Sequence, residues 1–328
     1  MTKPLILVTS RSFGKFVDDG LKILEGVGQL RFNRYDRALT EEELAKHSCD
    51  VDAIVLGADP CTSQVIDASK KLKVIAKHGA GYDNIDLKSA TKRGIPVTYV
   101  PALNADSVAD FAIGLLIALA RRIPAANFST KSGEWRGSLF VGKELNGKIL
   151  GIVGLGEIGS RVARRALSFG MRVIYFDIRR RQDLEEEGVS YTDLDGLLSK
   201  SDFISLHTSL TRETEGMIDR SKLEKVKRGA YLINTARGAL IDEYSVAKAL
   251  NEGRLAGAAL DVFAHEPPEP NNPLFELDNV ICTPHIASYT TEAFQKIDSV
   301  LANDVVRVLS GERPIHCVNP AVFESYSD

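Results

Sequence analysis

Three glycines are spaced as GxGxxG in Gly154-Leu155-Gly156-Glu157-Ile158-Gly159. The run before them, Lys148–Val153, reads as a strand, and the run they open, Glu157–Phe169, reads as a helix. A second strand-like run, Arg172–Phe176, ends at Asp177, 18 residues beyond Gly159 (177 − 159). Strand, glycine loop, helix and distal acid together make a dinucleotide-binding fingerprint. Gly154 allows the tight turn, Gly156 has no side chain to hold a pyrophosphate off the backbone, and Gly159 lets helix and strand pack closely. Glu157 and Ile158 begin the helix, whose free N–H groups and positive dipole end face the phosphates. Asp177 can accept hydrogen bonds from both hydroxyls of the adenosine ribose and repels a 2′-phosphate, so NAD is expected over NADP. Arg179 and Arg180 follow closely and soften that preference.

Such a loop needs a parallel sheet to hold it. Short β-rich runs alternate with helical stretches almost from end to end, the pattern of strands joined by crossover helices. The first series has strands at Leu5–Thr9, Ala53–Gly57, Lys73–Lys77 and Pro96–Val100. Helices are predicted near Phe13–Leu24, Thr62–Ser69 and Leu87–Arg93. The second series starts at Lys148 and continues with Arg172–Phe176, Phe203–Leu206, Ala230–Asn234, Gly257–Val262 and Val280–Cys282. Four prolines make Glu266–Pro273 a loop. A last helix, Thr290–Leu309, has one apolar face. Between the two series, Asn104–Arg122 is apolar or glycine at every position from Val108 to Ala120 except Asp110. A helix apolar all round is buried on all sides, either between domains or against a second subunit.

Composition narrows the classes. A chain of 328 residues suits two domains, and 44 % apolar with 26 % charged residues is a folded globular profile. The net charge of −3 excludes an electrostatic nucleic-acid binder, and the run Arg179–Arg181 is answered by Asp183 and Glu185–Glu187. The apolar run at the start is too short for a secretory signal, and Val108–Ala120 is too short to span a bilayer. Cys49, Cys61, Cys282 and Cys317 are scattered without a CxxC pair, so free thiols in a reducing cytoplasm are expected rather than a zinc site or disulfides.

Further motifs lie in order along the chain: His78-Gly79-Ala80-Gly81-Tyr82-Asp83-Asn84-Ile85-Asp86, the glycine loop with Asp177, Asn234-Thr235-Ala236-Arg237-Gly238, Asp261-Val262-Phe263 with Glu266-Pro267, and Thr283-Pro284-His285-Ile286-Ala287. On these the sequence resembles, over nearly its whole length, the D-2-hydroxyacid dehydrogenases, which include 3-phosphoglycerate, glycerate/hydroxypyruvate and D-lactate dehydrogenases. Reducing a keto acid takes a hydride, which NADH supplies, a proton, and a grip on the carboxylate. His285 is the natural proton donor, because an imidazole titrates near neutrality. A carboxylate partner fixes such a ring and favours its protonated form, and the family pattern gives that part to Glu266. Arg237 grips the carboxylate and polarises the keto oxygen with its fork of donors. The resemblance assigns the turn Gly79, Ala80 and Gly81 to the substrate carboxylate, as a nest of backbone N–H groups. Lys77 and His78 flank it toward the far end of the substrate. Asp261 matches the residue that binds the nicotinamide carboxamide, and Thr208 borders the cofactor. Many relatives have proline where this chain has Ser209.

The resemblance implies an α/β architecture of two Rossmann-like domains, the NAD-binding domain inserted into a flavodoxin-like substrate domain. The expected boundaries are 1–100 and 288–328 for the substrate domain and 101–287 for the NAD-binding domain with its dimerisation helix. The active site then lies in a cleft whose closure expels water. A homodimer is implied, and Trp135 either reaches the neighbouring subunit or fills a local core. No regulatory domain is expected, since 19 residues follow Leu309 (328 − 309). The implied activity is NAD-dependent interconversion of a small D-2-hydroxy acid and its 2-keto acid, in the cytoplasm, without metal, membrane or nucleic acid. A 3-phosphoglycerate dehydrogenase is one rival, but the loop Leu56-Gly57-Ala58-Asp59-Pro60 lacks the arginine that such enzymes carry there. A formate dehydrogenase would have glutamine at Glu266. A nucleotide-sensing corepressor of the same fold is the rival from another class.

Overall fold

Residues 3–324 are described by a computed structural model. Two units account for them: residues up to Asn104 together with those from Tyr289 onward, and Ala105–Ser288.

The first unit alternates β1 (Leu5–Val8), α1 (Asp19–Val27), β2 (Gln29–Phe32), α2 (Glu41–Ser48), β3 (Ala53–Leu56), α3 (Ser63–Ala68), β4 (Val74–Lys77), α4 (Leu87–Lys92) and β5 (Val97–Thr98). Its strands pair in parallel in the order β2-β1-β3-β4-β5. That is the flavodoxin-like order, with its switch point between β1 and β3. A parallel sheet is covered on both faces, so its central strands are continuous apolar runs, and Ala53, Ile54, Val55 and Leu56 are all buried.

The second unit holds α5 (Ala105–Ala120), α6 (Ile123–Lys131), β6 (Ile149–Val153), α7 (Glu157–Ser168), β7 (Arg172–Phe176), α8 (Gln182–Glu185), β8 (Val189–Tyr191), α9 (Leu194–Lys200), β9 (Phe203–Leu206), α10 (Arg220–Leu223), β10 (Ala230–Asn234), α11 (Glu243–Asn251), β11 (Leu255–Leu260) and β12 (Val280–Cys282). Its parallel order, β12-β11-β10-β9-β6-β7-β8, reverses between β6 and β9, the doubly wound plan of a dinucleotide-binding domain. The chain then returns to the first unit as α12 (Thr291–Leu309), where Ala293, Ile297, Leu301 and Val305 join the core beneath Ile6, Val8 and Leu24.

Several expectations are corrected. The helix expected from Phe13 starts at Asp19, because Gly14 sits at φ +69° and Phe13 is drawn into the core. The strand expected over Gly257–Val262 runs Leu255–Leu260, and Asp261 turns its carboxylate to the next loop instead. Within a single chain α5 has one covered face, and the alternative of a second subunit on the other still stands. Val108, Ala112, Leu115, Leu116 and Leu119 enter the core, while Asp106, Asp110 and Gly114 are exposed. Asp106 and Asp110 pair with Arg161 and Arg165 of α7. No helix among the described residues is long and apolar enough to cross a membrane, and no cluster of metal-ligating side chains is found among them.

Candidate active site

The glycine loop follows β6, and each of its glycines has a different physical reason. Gly154 has φ +91°, and a Cβ there would lie 2.7 Å from the Thr208 amide nitrogen. Loop and β9 terminus therefore approach each other at the switch point only because this residue is glycine. A Cβ on Gly159 would lie 2.1 Å from the Gly154 carbonyl oxygen, so the first turn of α7 rests on the loop. At Gly156 a Cβ would meet nothing within 4 Å. The space in front of that backbone is open, as an approaching pyrophosphate requires. Asp177 ends β7 and accepts hydrogen bonds from the Leu155 amide at 2.7 Å and the Arg179 amide at 3.0 Å. Each carboxylate oxygen keeps a second lone pair for a ribose hydroxyl. Arg180 is committed to Glu185 and Arg181 to Asp183. Arg179 forms no ion pair among the described residues.

Two buried polar atoms stand unpartnered at the ends of the neighbouring strands β9 and β10, His207 Nδ1 and Thr235 Oγ1. The other ring nitrogen of His207 meets Ser205 Oγ at 2.8 Å. Burial pushes the His207 pKa down to about 4, so the ring is neutral. Buried polar atoms are nearly always hydrogen-bonded. Two orphans beside an open glycine loop fit a crevice built for a polar ligand, and the residues present fit a dinucleotide.

The catalytic candidates follow β10, β11 and β12. Asn234 clamps the first loop: its side-chain amide donates to the Arg237 carbonyl at 2.8 Å, and its oxygen accepts from the Ala236 amide at 3.0 Å. A Cβ on Gly238 would lie 1.9 Å from the Phe263 carbonyl carbon, so the Arg237 loop sits directly on the loop leading to Glu266. Glu266 accepts from the Phe263 amide at 3.2 Å and meets His285 Nδ1 at 2.7 Å. Burial pushes the Glu266 carboxyl up, but the hydrogen bond and charge of His285, the Phe263 amide and the Arg237 charge outweigh it and hold it below its ordinary value. With Nδ1 taken by the carboxylate, Nε2 is the ring nitrogen left to give or take a proton.

His285 has φ +55°, in the left-handed region that side chains other than glycine rarely adopt. Asp261 holds it there. Its carbonyl accepts from the His285 amide at 2.8 Å, and its fully buried carboxylate accepts from Thr283 Oγ1 at 2.6 Å and from the Ile286 and Ala287 amides at 2.9 and 2.8 Å. Burial raises the Asp261 pKa in spite of those donors. Three donors occupy a carboxylate with about four acceptor positions, which leaves one for a further donor. Sequence reasoning missed the clamps of Asn234 and Asp261, although a polar residue ending a wholly apolar strand is a visible signal for both.

The turn after β4 belongs to the first unit. The His78 amide donates to the Leu56 carbonyl at 2.9 Å, and the Val100 amide donates to the Gly79 carbonyl at 3.0 Å. Gly79 has φ +134° with open space where a Cβ would stand, and Ala80 and Gly81 are half-buried. The Lys77 ammonium donates to the Gly57 carbonyl. His78 does not face outward from the turn, as its position beside the glycines suggested. Its ring is turned inward onto Ser10 and Asp298. Asp59, the acid of the Leu56–Pro60 loop, is fully buried and accepts from Thr9 Oγ1 and the Leu39 amide, so its charge faces the interior.

Residues 113–287 match the family model described as D-isomer specific 2-hydroxyacid dehydrogenase, NAD binding domain. A glyoxylate reductase of Thermofilum pendens is 46 % identical over 292 residues, covering 87 % of this chain and 86 % of that protein. A D-3-phosphoglycerate dehydrogenase of Methanocaldococcus jannaschii is 43 % identical over 92 % of this chain, which spans 57 % of that longer protein. Among solved structures, the D-lactate dehydrogenase of Aquifex aeolicus, complexed with NAD and lactic acid, superposes with a TM-score of 0.86 at 32 % identity, covering 96 % of this chain and 99 % of that one. The chain belongs to the D-isomer specific 2-hydroxyacid dehydrogenase family. It is an NAD-dependent oxidoreductase that interconverts 2-hydroxy acids and 2-keto acids.

Proposed function

We propose that this member of the family acts on a small, unphosphorylated 2-keto acid such as glyoxylate or hydroxypyruvate, and that Arg237, Glu266 and His285 are its catalytic residues. The Glu266–His285 hydrogen bond of 2.7 Å, on loops that Asn234 and Asp261 clamp, carries this reading. Bound NADH supplies the hydride. His285 Nε2 gives the proton to the keto oxygen as the alcohol forms, and takes it back in the reverse direction. Glu266 fixes the orientation of the ring through Nδ1. Arg237 grips the carboxylate and polarises the keto oxygen. The turn Gly79, Ala80 and Gly81 offers backbone N–H groups to the same carboxylate. For the cofactor, Gly154, Gly156, Glu157, Ile158 and Gly159 would receive the pyrophosphate, Asp177 the adenosine ribose, and Thr208 and Asp261 the nicotinamide side.

The substrate preference rests on the Leu56–Pro60 loop, which offers no cationic side chain to a phosphate. The relative named glyoxylate reductase supports it. A second reading, a 3-phosphoglycerate dehydrogenase, draws on the Lys77 ammonium at the Gly57 carbonyl, on the inward turn of Asp59, and on the relative of that name. Side-by-side kinetics with hydroxypyruvate and 3-phosphohydroxypyruvate decide between them. The expected result is a higher kcat/KM for the unphosphorylated acid; a value ten times higher for the phosphorylated acid overturns it.

A homodimer belongs to the same proposal. No residue of α6 is buried, Phe128 is 74 % exposed and Trp135 90 % exposed, so Trp135 fills no local core. With Ile123, Leu139 and Val141 they leave an apolar surface of the kind that subunit contacts cover. Sedimentation should give a dimer, and Phe128→Asp with Trp135→Asp should give monomers. Four unpaired cysteines support a cytoplasmic location.

A further inference from the structure

The C-terminal helix α12 carries an aspartate where its neighbours on the same face are apolar. Asp298 is fully buried beside Phe294, Ile297 and Leu301. A buried carboxylate is costly unless it is paired. Asp298 has two partners: Oδ1 meets His78 Nε2 at 2.7 Å, and Oδ2 accepts from the Gly14 amide at 2.9 Å. Its own backbone is pinned, because a Cβ on Gly20 of α1 would lie 2.5 Å from the Asp298 carbonyl oxygen. The far side of the His78 ring meets Ser10 Oγ at 2.8 Å, and Phe13 and Phe294 pack against it at 5.7 and 6.3 Å. One imidazole therefore joins the β1–α1 loop, β4 and α12. It stands immediately before Gly79.

We propose that Asp298 is a positioning residue for the substrate carboxylate: acting through the His78 ring, it fixes the start of the Gly79–Gly81 turn against the body of the first unit. The inference rests on the reading that this turn receives the carboxylate. Backbone N–H groups hold an anion well only when they are aimed in advance, and small misplacements are expensive. Gly79, at φ +134°, brings its own conformational freedom to the turn; the Val100 amide holds its carbonyl at 3.0 Å, and the residue before it supplies a second constraint. The His78 backbone alone is tied by one hydrogen bond to Leu56. The ring adds ties to Asp298, to Ser10 and, at 3.4 Å, to Ser12, and these remove rotation about the His78 side chain.

The test is a double-mutant cycle on the full-length enzyme with NADH and whichever 2-keto acid it turns over best. Asp298→Ala and His78→Phe should each raise the keto-acid KM about tenfold, with kcat and the NADH Kd within about twofold of wild type. His78→Phe keeps an aromatic ring between Phe13 and Phe294, so it separates packing from hydrogen bonding. The double variant should be no worse than either single one, since Asp298 acts only through His78. Asp298→Asn should keep KM within about threefold, because the amide can donate to Nε2 while its oxygen still accepts from Gly14. Gly79→Ala, which strains the turn directly, is the control. If it raises KM while Asp298→Ala and His78→Phe do not, or if the two single effects multiply, the positioning role is overturned and the turn's role stands. If Gly79→Ala leaves KM unchanged, the underlying reading of the turn fails. Should Asp298→Ala not fold, the Asn and Phe variants still decide.

Discussion

The two units are built on closely related parallel sheets, and each has a switch point where a crevice opens at the carboxyl ends of its strands. In the second unit that crevice, at β6 and β9, is left open. Its glycine loop has empty space in front of Gly156, and His207 Nδ1 and Thr235 Oγ1 lack partners. In the first unit the corresponding place is closed by its own side chains on the side between β1 and β3, and the space that remains, a cavity of about 250 Å³ lined by Val8, Thr9, Ser10, Phe13, Phe32 and Asn33, lies toward β2. Thr9 is bonded to Asp59, Ser10 to His78 and His78 to Asp298, and a Cβ on Gly57 would lie 2.9 Å from the Ser10 Cα. The fold supplies a crevice in both; the side chains decide whether it receives a ligand or braces a neighbouring turn.

The largest expected effect tests where the chemistry sits. His285→Ala should lower kcat by about a hundred- to ten-thousand-fold, the usual range for losing a general acid, with NADH binding intact. Near-normal kcat in that variant would mean that the proton comes from elsewhere.

The open crevice should also show itself in acid. His207 stays neutral in the folded chain down to about pH 4, whereas its ordinary value is 6.5. Between those values the unfolded chain binds the extra proton, so stability is fully present above pH 6.5 and falls as the pH is lowered to about 4. A difference of about 2.5 units amounts to about 3 kcal/mol at most. Denaturant unfolding from pH 7 to pH 4.5 should show this slope, and His207→Gln should flatten it. An unchanged slope in the variant would assign the acid sensitivity to other groups.

A smaller effect concerns cofactor choice. Asp177→Ala should shift the NADPH-to-NADH ratio of kcat/KM upward by about tenfold, equivalent to about 1.4 kcal/mol. Arg179 is the cation that would meet the 2′-phosphate, since Arg180 and Arg181 are held by Glu185 and Asp183. Adding Arg179→Ala should reverse most of the gain. Wild-type enzyme using NADPH as well as NADH would remove the role given to Asp177.

Much of this organisation is legible along the chain because it is local. The GxGxxG loop, Asp177 and the strands at 149–153, 172–176, 203–206, 230–234 and 280–282 stand where the residue pattern puts them. Glycine spacing and buried apolar runs are written in consecutive residues. The edge strands β2 and β8 went unseen because edge positions do not demand apolar residues, and Gln29–Phe32 has no buried member. Gly14 set the start of α1 against the helical pattern around it. Least legible was the pairing of His78 with Asp298, 220 residues apart. Nothing local marks a histidine for an aspartate on a distant helix. For the same reason nothing in the Leu56–Pro60 loop shows that Thr9 and the Leu39 amide draw Asp59 inward.

The contrast between an open and a closed crevice is tested most directly by an equilibrium titration of NADH into wild type, Gly156→Val and Gly57→Ala, followed by cofactor fluorescence. Valine would occupy the open space before the Gly156 backbone, while the Gly57 change disturbs only the closed crevice. One NADH per chain is expected, with binding lost in Gly156→Val and an NADH Kd within about twofold of wild type in Gly57→Ala. Binding that survives in Gly156→Val, or that is lost in Gly57→Ala, would contradict it.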